Sequence, residues 1–248
     1  MPHRPLRILV VDDDPDAREN LRDILTDRGD RVDVAGSAEE ALPLLTRAVF
    51  DVALLDFKMP GMDGLALCRE IRQLRAASEA VIVSAYADDD ALEQATQSGA
   101  VKFLHKPVDL DRLLSLIDRV ARQPLIMLVD DDHNLCANLW DILHECGYRL
   151  DVAHTEADVV RLLQTREYGV ALIDLKLPSG DGGGVLRRIR ESNPAAHAIV
   201  ITGYRADLRE LVDRVVAEGA DAVCDKPLEI PELLRLIGRL AAPEESHA

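Results

Sequence analysis

The sequence predicts an α/β protein made of two doubly wound, five-stranded parallel-sheet domains in tandem. Three observations predict this. Short continuous apolar runs alternate with helix-patterned segments, the signature of strands buried on both faces and joined by helical crossovers. The whole pattern recurs at an offset of 118 residues, too long for a solenoid period, which makes it a duplicated domain. The chain length, 248 residues, suits two domains better than one.

In the first copy the elements follow in order. RILVV (7–11) is a strand, and Ala17, Leu21, Ile24 and Leu25 then share one helix face. RVDVA (31–35) is a short strand, and SAEEAL (37–42) starts a helix with a serine cap and an acidic first turn. Pro43 falls inside that helix and predicts a kink or an early stop. VALLD (52–56) is a fully buried strand, DGLALCREIRQL (63–74) a helix and VIVSA (81–85) a strand. DDDALEQATQSGA (88–100) is a helix ending at Gly99, and its acidic run 88–93 complements the helix dipole. VKFLH (101–105) is the last strand, and Leu110, Leu113, Leu114, Ile117 and Val120 mark a final amphipathic helix.

The second copy repeats this. ILVVDDDPDARENL (8–21) falls on IMLVDDDHNLCANL (126–139), and VALLDFKMPGMDG (52–64) falls on VALIDLKLPSGDG (170–182). AVIVSAY (80–86) falls on AIVITGY (198–204), and SGAVKFLHKPVDL (98–110) meets EGADAVCDKPLEI (218–230) two residues later than the offset requires. The third helix of copy two starts on GGG (182–184). This is a weak helix start, read as loop rather than as a phosphate cradle because GxGxxG spacing is absent. The expected boundaries are domain 1 at 1–122, a stiff linker at Gln123–Pro124, domain 2 at 125–240 and a flexible tail at 241–248.

Charge and composition exclude several functions. The net charge is −16, with −7 in residues 1–122 and −9 in the rest, so neither half has the basic footprint that nucleic acid requires. An acidic chain suits divalent cations or basic partner surfaces. The four cysteines, Cys68, Cys136, Cys146 and Cys224, have no metal-type spacing and read as small buried thiols in a reducing compartment. No signal-length apolar region or run of about 18 apolar residues occurs, so neither a secretory signal nor a membrane span is expected and the cytoplasm is the expected location. Trp140 reads as a core or interface residue. The seven histidines show no ligand spacing, and His105 alternates to the face opposite Lys106.

The strand ends carry the chemistry. In an open parallel sheet, sites form at the carboxyl ends of the strands. In copy one these ends carry Asp12, Asp13 and Asp14, then Asp56, Ser84 and Lys106. In copy two they carry Asp130, Asp131 and Asp132, then Asp174, Thr202 and Lys226. Converging carboxylates repel one another unless a cation joins them. Oxygen-only ligands favour a hard ion, and Mg²⁺ fits a site of few carboxylates and several waters. A hydroxyl and an ammonium beside it can hold phosphoryl oxygens, which leaves one carboxylate to act as a nucleophile. Asp14 and Asp132 also read as helix caps, as do Asp63 and Asp181 in their Asp-Gly steps.

Five such positions, matched in order in each copy, resemble the receiver domain of bacterial two-component response regulators over about 7–122 and 125–240. The resemblance implies a flavodoxin-like (CheY-like) fold. It implies phosphoryl transfer from a histidine of a sensor histidine kinase or a histidine phosphotransfer protein, with Asp56 and Asp174 as acceptors. Asp13 and Asp131 would bind Mg²⁺ directly, Asp12 and Asp130 through water, and the carbonyls of Lys58 and Lys176 would complete the metal shell. Ser84 and Thr202 would hydrogen-bond the phosphoryl group, and Lys106 and Lys226 would pair with it. The steps Lys106–Pro107 and Lys226–Pro227 become candidates for cis peptides. Lys58, Lys176, Tyr86 and Tyr204 stand where the family controls access of hydrolytic water, so slow autodephosphorylation is expected. The family's aromatic switch position holds Phe103 in copy one but Val223 in copy two.

The leading reading is a two-domain phosphoacceptor signalling through protein contacts, as a homodimer or on a downstream effector, without turnover chemistry beyond its own phosphorylation and dephosphorylation. A second reading makes copy two a non-reacting dimerisation adaptor, and a third makes the chain the receiver part of a larger regulator. A haloacid-dehalogenase-like phosphohydrolase shares the aspartyl nucleophile, Mg²⁺, Ser/Thr and Lys, and Asp12-x-Asp14 fits its opening motif. It needs a later acidic pair that DLDRLLSLID (109–118) lacks, and no turnover of a generic phosphate ester is expected.

Overall fold

Strand edges and helix faces follow the apolar pattern closely in the computed structural model, which describes residues 4–74, 77–85, 102–177, 180–203 and 209–241. The chain divides into two compact units, Met1–Gln123 and Pro124–Ala248. The predicted helix over 88–100, Tyr86, Tyr204 and tail residues 242–248 lie outside the described residues.

In the first unit the strands are β1 (Arg7–Val11), β2 (Arg31–Ala35), β3 (Val52–Asp56), β4 (Glu79–Ser84) and β5 (Lys102–His105). They pair in parallel in the order β2-β1-β3-β4-β5. The described helices are α1 (Pro15–Asp27), α2 (Ala38–Arg47), α3 (Gly64–Gln73) and α4 (Leu110–Arg122). Every residue of β3 is buried because helices cover both faces. One core, with Leu9, Leu55, Leu67 and Ile71, lies under α2 and α3. The other, with Ile8, Leu54, Leu25 and Ile117, lies under α1 and α4.

The second unit repeats the plan with β6 (Leu125–Val129), β7 (Arg149–Ala153), β8 (Val170–Asp174), β11 (His197–Thr202) and β12 (Ala222–Asp225) in the order β12-β11-β8-β6-β7. Its helices are α5 (His133–Glu145), α6 (Glu156–Leu163), α7 (Gly182–Ser192), α8 (Arg209–Ala217) and α9 (Ile230–Ala241). An antiparallel ribbon, β9 (Lys176–Leu177) with β10 (Gly180–Asp181), follows β8. Both sheets are therefore five-stranded and parallel, the predicted fold class.

Four local expectations need correction. Gly182–Gly184 are not loop but the first turn of α7. Val185, Leu186 and Ile189 bury one face of that helix, and packing of that face outweighs the poor propensity of glycine. Pro43 does not stop α2, which runs on to Arg47. Ala41 is buried, and Leu42, Leu44 and Leu45 pack on the core around the proline. Leu110 is 41% exposed, while Leu116 is buried with Leu113, Ile117 and Val120. The helix face is thus turned away from its first residue. Cys68 and Cys136 are buried, but Cys224 is only partly buried and Cys146, in the turn after α5, is exposed.

Trp140 is a core residue at 2% exposure, its Nε1 donating to the Leu150 carbonyl at 3.3 Å. The second unit also holds a buried polar network. Asp151 Oδ2 accepts from Arg166 Nη1 at 2.9 Å and from the Tyr168 hydroxyl at 2.8 Å. Its counterparts in the first unit are Asp33, Ala48 and Phe50, so the network belongs to the second unit alone.

Candidate functional site

Parallel pairing of β1, β3, β4 and β5 brings their carboxyl ends to one edge of the first unit. Asp12 follows β1, Asp56 ends β3, Ser84 ends β4 and Lys106 follows β5. Asp12 is 2% exposed, Asp56 7% and Ser84 1%, whereas Asp13 is exposed. Lys106 Nζ bridges two of the carboxylates, 2.8 Å from Asp12 Oδ2 and 2.8 Å from Asp56 Oδ1. Its amide donates to the Ser84 carbonyl at 2.8 Å, which fixes where the side chain starts. Asp12 Oδ1 accepts the Asp14 amide at 3.0 Å, and Arg18 Nη1 donates to the Asp12 carbonyl at 2.5 Å. Carboxylate oxygens of Asp12, Asp13 and Asp56 all lie within 4.8 Å of one another.

The second unit builds the same arrangement with small differences. Lys226 Nζ is 2.7 Å from Asp130 Oδ2 but 3.3 Å from Asp174 Oδ2. Asp130, Asp131 and Asp174 again bring their oxygens within 4.8 Å. The Lys226 amide donates to the Thr202 carbonyl at 2.7 Å. Thr202 Oγ1 is buried and has no hydrogen-bond partner among the described residues. Where Arg18 holds the Asp12 carbonyl, the Asp130 carbonyl is met by Cys136 Sγ at 3.3 Å and His154 Nδ1 at 2.9 Å. The His133 ring lies against that of His154, with centroids 3.7 Å apart and planes tilted by 33°.

Electrostatics follow from burial. Desolvation pushes the Asp56 carboxyl above its usual range, against the hydrogen bond from Lys106, and repulsion from Asp12 and Asp13 adds to the rise. Asp174 is raised for the same leading reason, opposed by the charge of Lys226 and helped by that of Asp130. Burial alone would lower Lys106 and Lys226, but hydrogen bonds and attraction from Asp12 with Asp56, and from Asp130 with Asp174, outweigh it and raise both. The ammoniums therefore stay charged at neutral pH.

The donor set fits a hard divalent cation. It is oxygen-only, three carboxylates converge with one ammonium against them, and one carboxylate of each trio is exposed to solvent. In domain 2 the buried Thr202 Oγ1, at the end of the neighbouring strand and without a hydrogen-bond partner among the described residues, fits an incoming oxygen ligand such as a phosphoryl group. Lys58 and Lys176 sit in the segments that follow the central carboxylates, and both are exposed.

Other expected positions resolve as follows. Asp14 caps α1, accepting the amides of Asp16 and Ala17, and Asp132 caps α5, accepting those of Asn134 and Leu135. Asp63 caps α3 through the Ala66 amide at 2.7 Å. Asp181 lies in β10, immediately before α7. Lys106–Pro107 and Lys226–Pro227 are both cis. Phe103 is partly buried, its ring 4.4 Å from that of His105 in a T-shaped contact, and Val223 pairs with Val200 across β12 and β11. The arginine at Asp12 and the cysteine–histidine pair at Asp130 gave no sequence signal. They stand 6 and 24 residues from the carbonyls they meet, and nothing in their local pattern marks them.

A doubly wound sheet with three carboxylates, a hydroxyl and a lysine at its strand ends, built twice, defines a tandem of receiver-type α/β domains. The chain belongs to the response regulator receiver domain family, whose model matches residues 8–118 and again 126–238. It is 37% identical over 234 residues to a response regulator receiver protein of Anaeromyxobacter sp. (strain Fw109-5), covering 94% of each chain. It is 42% identical over 110 residues to the DNA-binding transcriptional regulator NtrC of Klebsiella pneumoniae, covering 44% of this chain and 24% of that protein. A solved structure of the response regulator TrrA from Thermotoga maritima, in complex with Mg²⁺-BeF, matches 46% of this chain and 98% of its own at 32% identity and a TM-score of 0.42. The protein thus consists of two-component response regulator receiver domains in tandem, and no described helix is long and apolar enough to cross a membrane.

Proposed function

We propose that the chain is a two-domain phosphoacceptor that takes phosphoryl groups from a phosphohistidine donor, a sensor histidine kinase or a histidine phosphotransfer protein, onto Asp56 and Asp174. One observation carries the reading. In both domains a lysine ammonium lies against the central strand-end carboxylate and a second buried carboxylate, with a third exposed beside them.

Chemically, an Asp56 oxygen attacks phosphorus, the new O–P bond forms as the P–N bond breaks, and the bonding pair leaves with the imidazole, which takes up a proton. Lys106 shifts its pairing from Asp56 to a phosphoryl oxygen while keeping Asp12. Ser84 donates its hydroxyl to a second oxygen. Thr202 and Lys226 do the same at Asp174, where the Thr202 hydroxyl has no hydrogen-bond partner among the described residues. Asp12, Asp13, Asp56 and the Lys58 carbonyl would hold Mg²⁺ in domain 1, and Asp130, Asp131, Asp174 and the Lys176 carbonyl in domain 2. When bound, that ion supplies charge neutralisation for the phosphoryl oxygens. Output passes to a protein partner or a second copy of the chain.

The test is intact mass after incubation with Mg²⁺ and a small phosphoryl donor, for wild type, Asp56→Asn and Asp174→Asn. Two added phosphoryl groups, each lost with its own variant, support two working receivers. One group, lost only in Asp56→Asn, makes domain 2 an adaptor, a reading favoured by the longer Lys226–Asp174 contact. No added group with the cognate donor would refute the proposal.

A further inference from the structure

The carbonyl of the first strand-end aspartate is held in both domains, but by different residues. The Asp12 amide donates to the Ala35 carbonyl at 3.2 Å, its Oδ1 accepts the Asp14 amide and its Oδ2 accepts from the Lys106 ammonium. The Asp12 carbonyl, which belongs to the peptide leading into Asp13, accepts from Arg18 Nη1 in α1. In domain 2 the Asp130 amide, Oδ1 and Oδ2 repeat the first three bonds with Ala153, Asp132 and Lys226. The Asp130 carbonyl instead meets Cys136 Sγ from α5 and His154 Nδ1 from the turn after β7. A carbonyl oxygen only accepts, so the His154 ring carries a proton on Nδ1.

The holders are exchanged as a pair. At the repeat offset of 118, Cys136 stands where domain 1 has Arg18, and His154 where it has Gly36. Both turn residues are pinned alike, the Gly36 amide donating to Glu40 Oε2 at 2.8 Å and the His154 amide to Asp158 Oδ2 at 3.3 Å. A Cβ on Gly36 would stand 3.4 Å from Arg18 Nη1 and 3.7 Å from Arg18 Cζ, so a ring there would claim the volume of the guanidinium. A long side chain on the helix therefore goes with none on the turn, and a ring on the turn goes with a short side chain on the helix. Each pair delivers a donor to the same oxygen.

We propose that Arg18 in domain 1 and His154 in domain 2 are equivalent positioning residues: each fixes the peptide that leads into the exposed aspartate, Asp13 or Asp131, and so presets that carboxylate for Mg²⁺. The proposal rests on the Mg²⁺ reading of the site and adds two residues that do not bind the ion. Asp13 and Asp131 are the exposed members of their trios, so the backbone rather than packing places them. An arginine here has an ordinary alternative role, a charge that offsets the acidic cluster. The two roles differ in sign. Removing a positive charge beside the site would tighten Mg²⁺ binding, whereas releasing the peptide would weaken it.

The experiment reads the Mg²⁺ dissociation constant of each domain in the full chain, without a phosphoryl donor, from the amide shifts of Asp13 and Asp131. Arg18→Ala should weaken domain 1 roughly tenfold, the loss typical of an outer-shell partner, and leave domain 2 unchanged. His154→Gly should do the reverse. Arg18→Cys with Gly36→His, which transplants the domain 2 pair, should regain most of the affinity that Arg18→Cys alone loses. The imidazole nitrogen shifts of His154 should show the proton on Nδ1. Unchanged or tighter binding in Arg18→Ala overturns the positioning role, and wild-type affinity in His154→Gly, or a His154 ring protonated on Nε2 alone, overturns the equivalence. If the transplanted pair disturbs domain 1, the Arg18→Ala and His154→Gly results decide by themselves. Wild type that binds no Mg²⁺ in either domain sinks the metal reading and this role with it; wild type that binds Mg²⁺ while both single variants match it sinks the proposal alone.

Discussion

Replacing Asp56 by asparagine should stabilise domain 1 when Mg²⁺ is absent. The oxygens of Asp12, Asp13 and Asp56 lie within 4.8 Å, so at an effective dielectric of about 20 each like-charged pair costs about 3.5 kcal/mol. Asp13 is exposed, and solvent and salt weaken its share. Lys106 Nζ, 2.8 Å from Asp56 Oδ1, returns about 6 kcal/mol on the same scale. Repulsion and attraction nearly cancel, so burial of the Asp56 charge decides the balance, in agreement with desolvation being the chief cause of its raised pKa. Asparagine keeps an oxygen for Lys106 and removes the charge. A gain of about 1–2 kcal/mol is expected after allowance for water around the site, or a rise in melting temperature of about 5–10 °C for a domain of roughly 100 residues.

The pH dependence follows from the direction of the shift. Because the folded pKa lies above the unfolded one, the folded state holds this proton more tightly. The corresponding stability is present below the ordinary carboxylate value of 3.8 and is lost as pH rises through the raised one. The advantage of Asp56→Asn should therefore be full at neutral pH and fade on acidification towards pH 3.8. Saturating Mg²⁺ should stabilise wild type more than the variant and narrow the gap. Scanning calorimetry at pH 7 in chelator checks this. The fluorescence of Trp140, the one tryptophan in the chain, identifies the domain 2 transition, which should not move. An Asn variant that melts at or below wild type in chelator, or a gap that persists unchanged in acid, would refute the reasoning.

Two further outcomes are expected. Gly64→Ala would place a methyl carbon 2.2 Å from the Asp56 carbonyl oxygen. It should cost about 1–3 kcal/mol in domain 1 and slow phosphorylation of Asp56 by one to two orders of magnitude through a displacement of roughly 1 Å, with Asp174 unaffected in the same peptide map. Asp151→Ala removes the acceptor shared by Arg166 and Tyr168 inside domain 2. It should lower stability by about 3 kcal/mol, seen as an earlier urea midpoint in Trp140 fluorescence; a change under about 1 kcal/mol would show that the network contributes little.

The sequence by itself determined the fold class and the convergence at the strand ends. Parallel strands have few ways to be ordered, their apolar runs are continuous, and a carboxylate that directly follows such a run must emerge at the same edge as its neighbours. Asp12, Asp56, Ser84 and Lys106, with their counterparts Asp130, Asp174, Thr202 and Lys226, were legible for that reason, and the duplication doubled the signal. Packing decided what local propensity could not. Gly182–Gly184 became helix because Val185, Leu186 and Ile189 had a core to fill, and α2 ran through Pro43 because its flanking leucines did. Leu110 stayed exposed because the face of α4 that meets the sheet begins at Leu113. Only the tertiary structure showed Glu39 beside Gly61 and Arg166 with Tyr168 on Asp151. These contacts join residues from different elements, whose distance in space no spacing along the chain encodes. An aspartate in a strand reads the same whether it faces water or accepts from an arginine and a tyrosine inside the core.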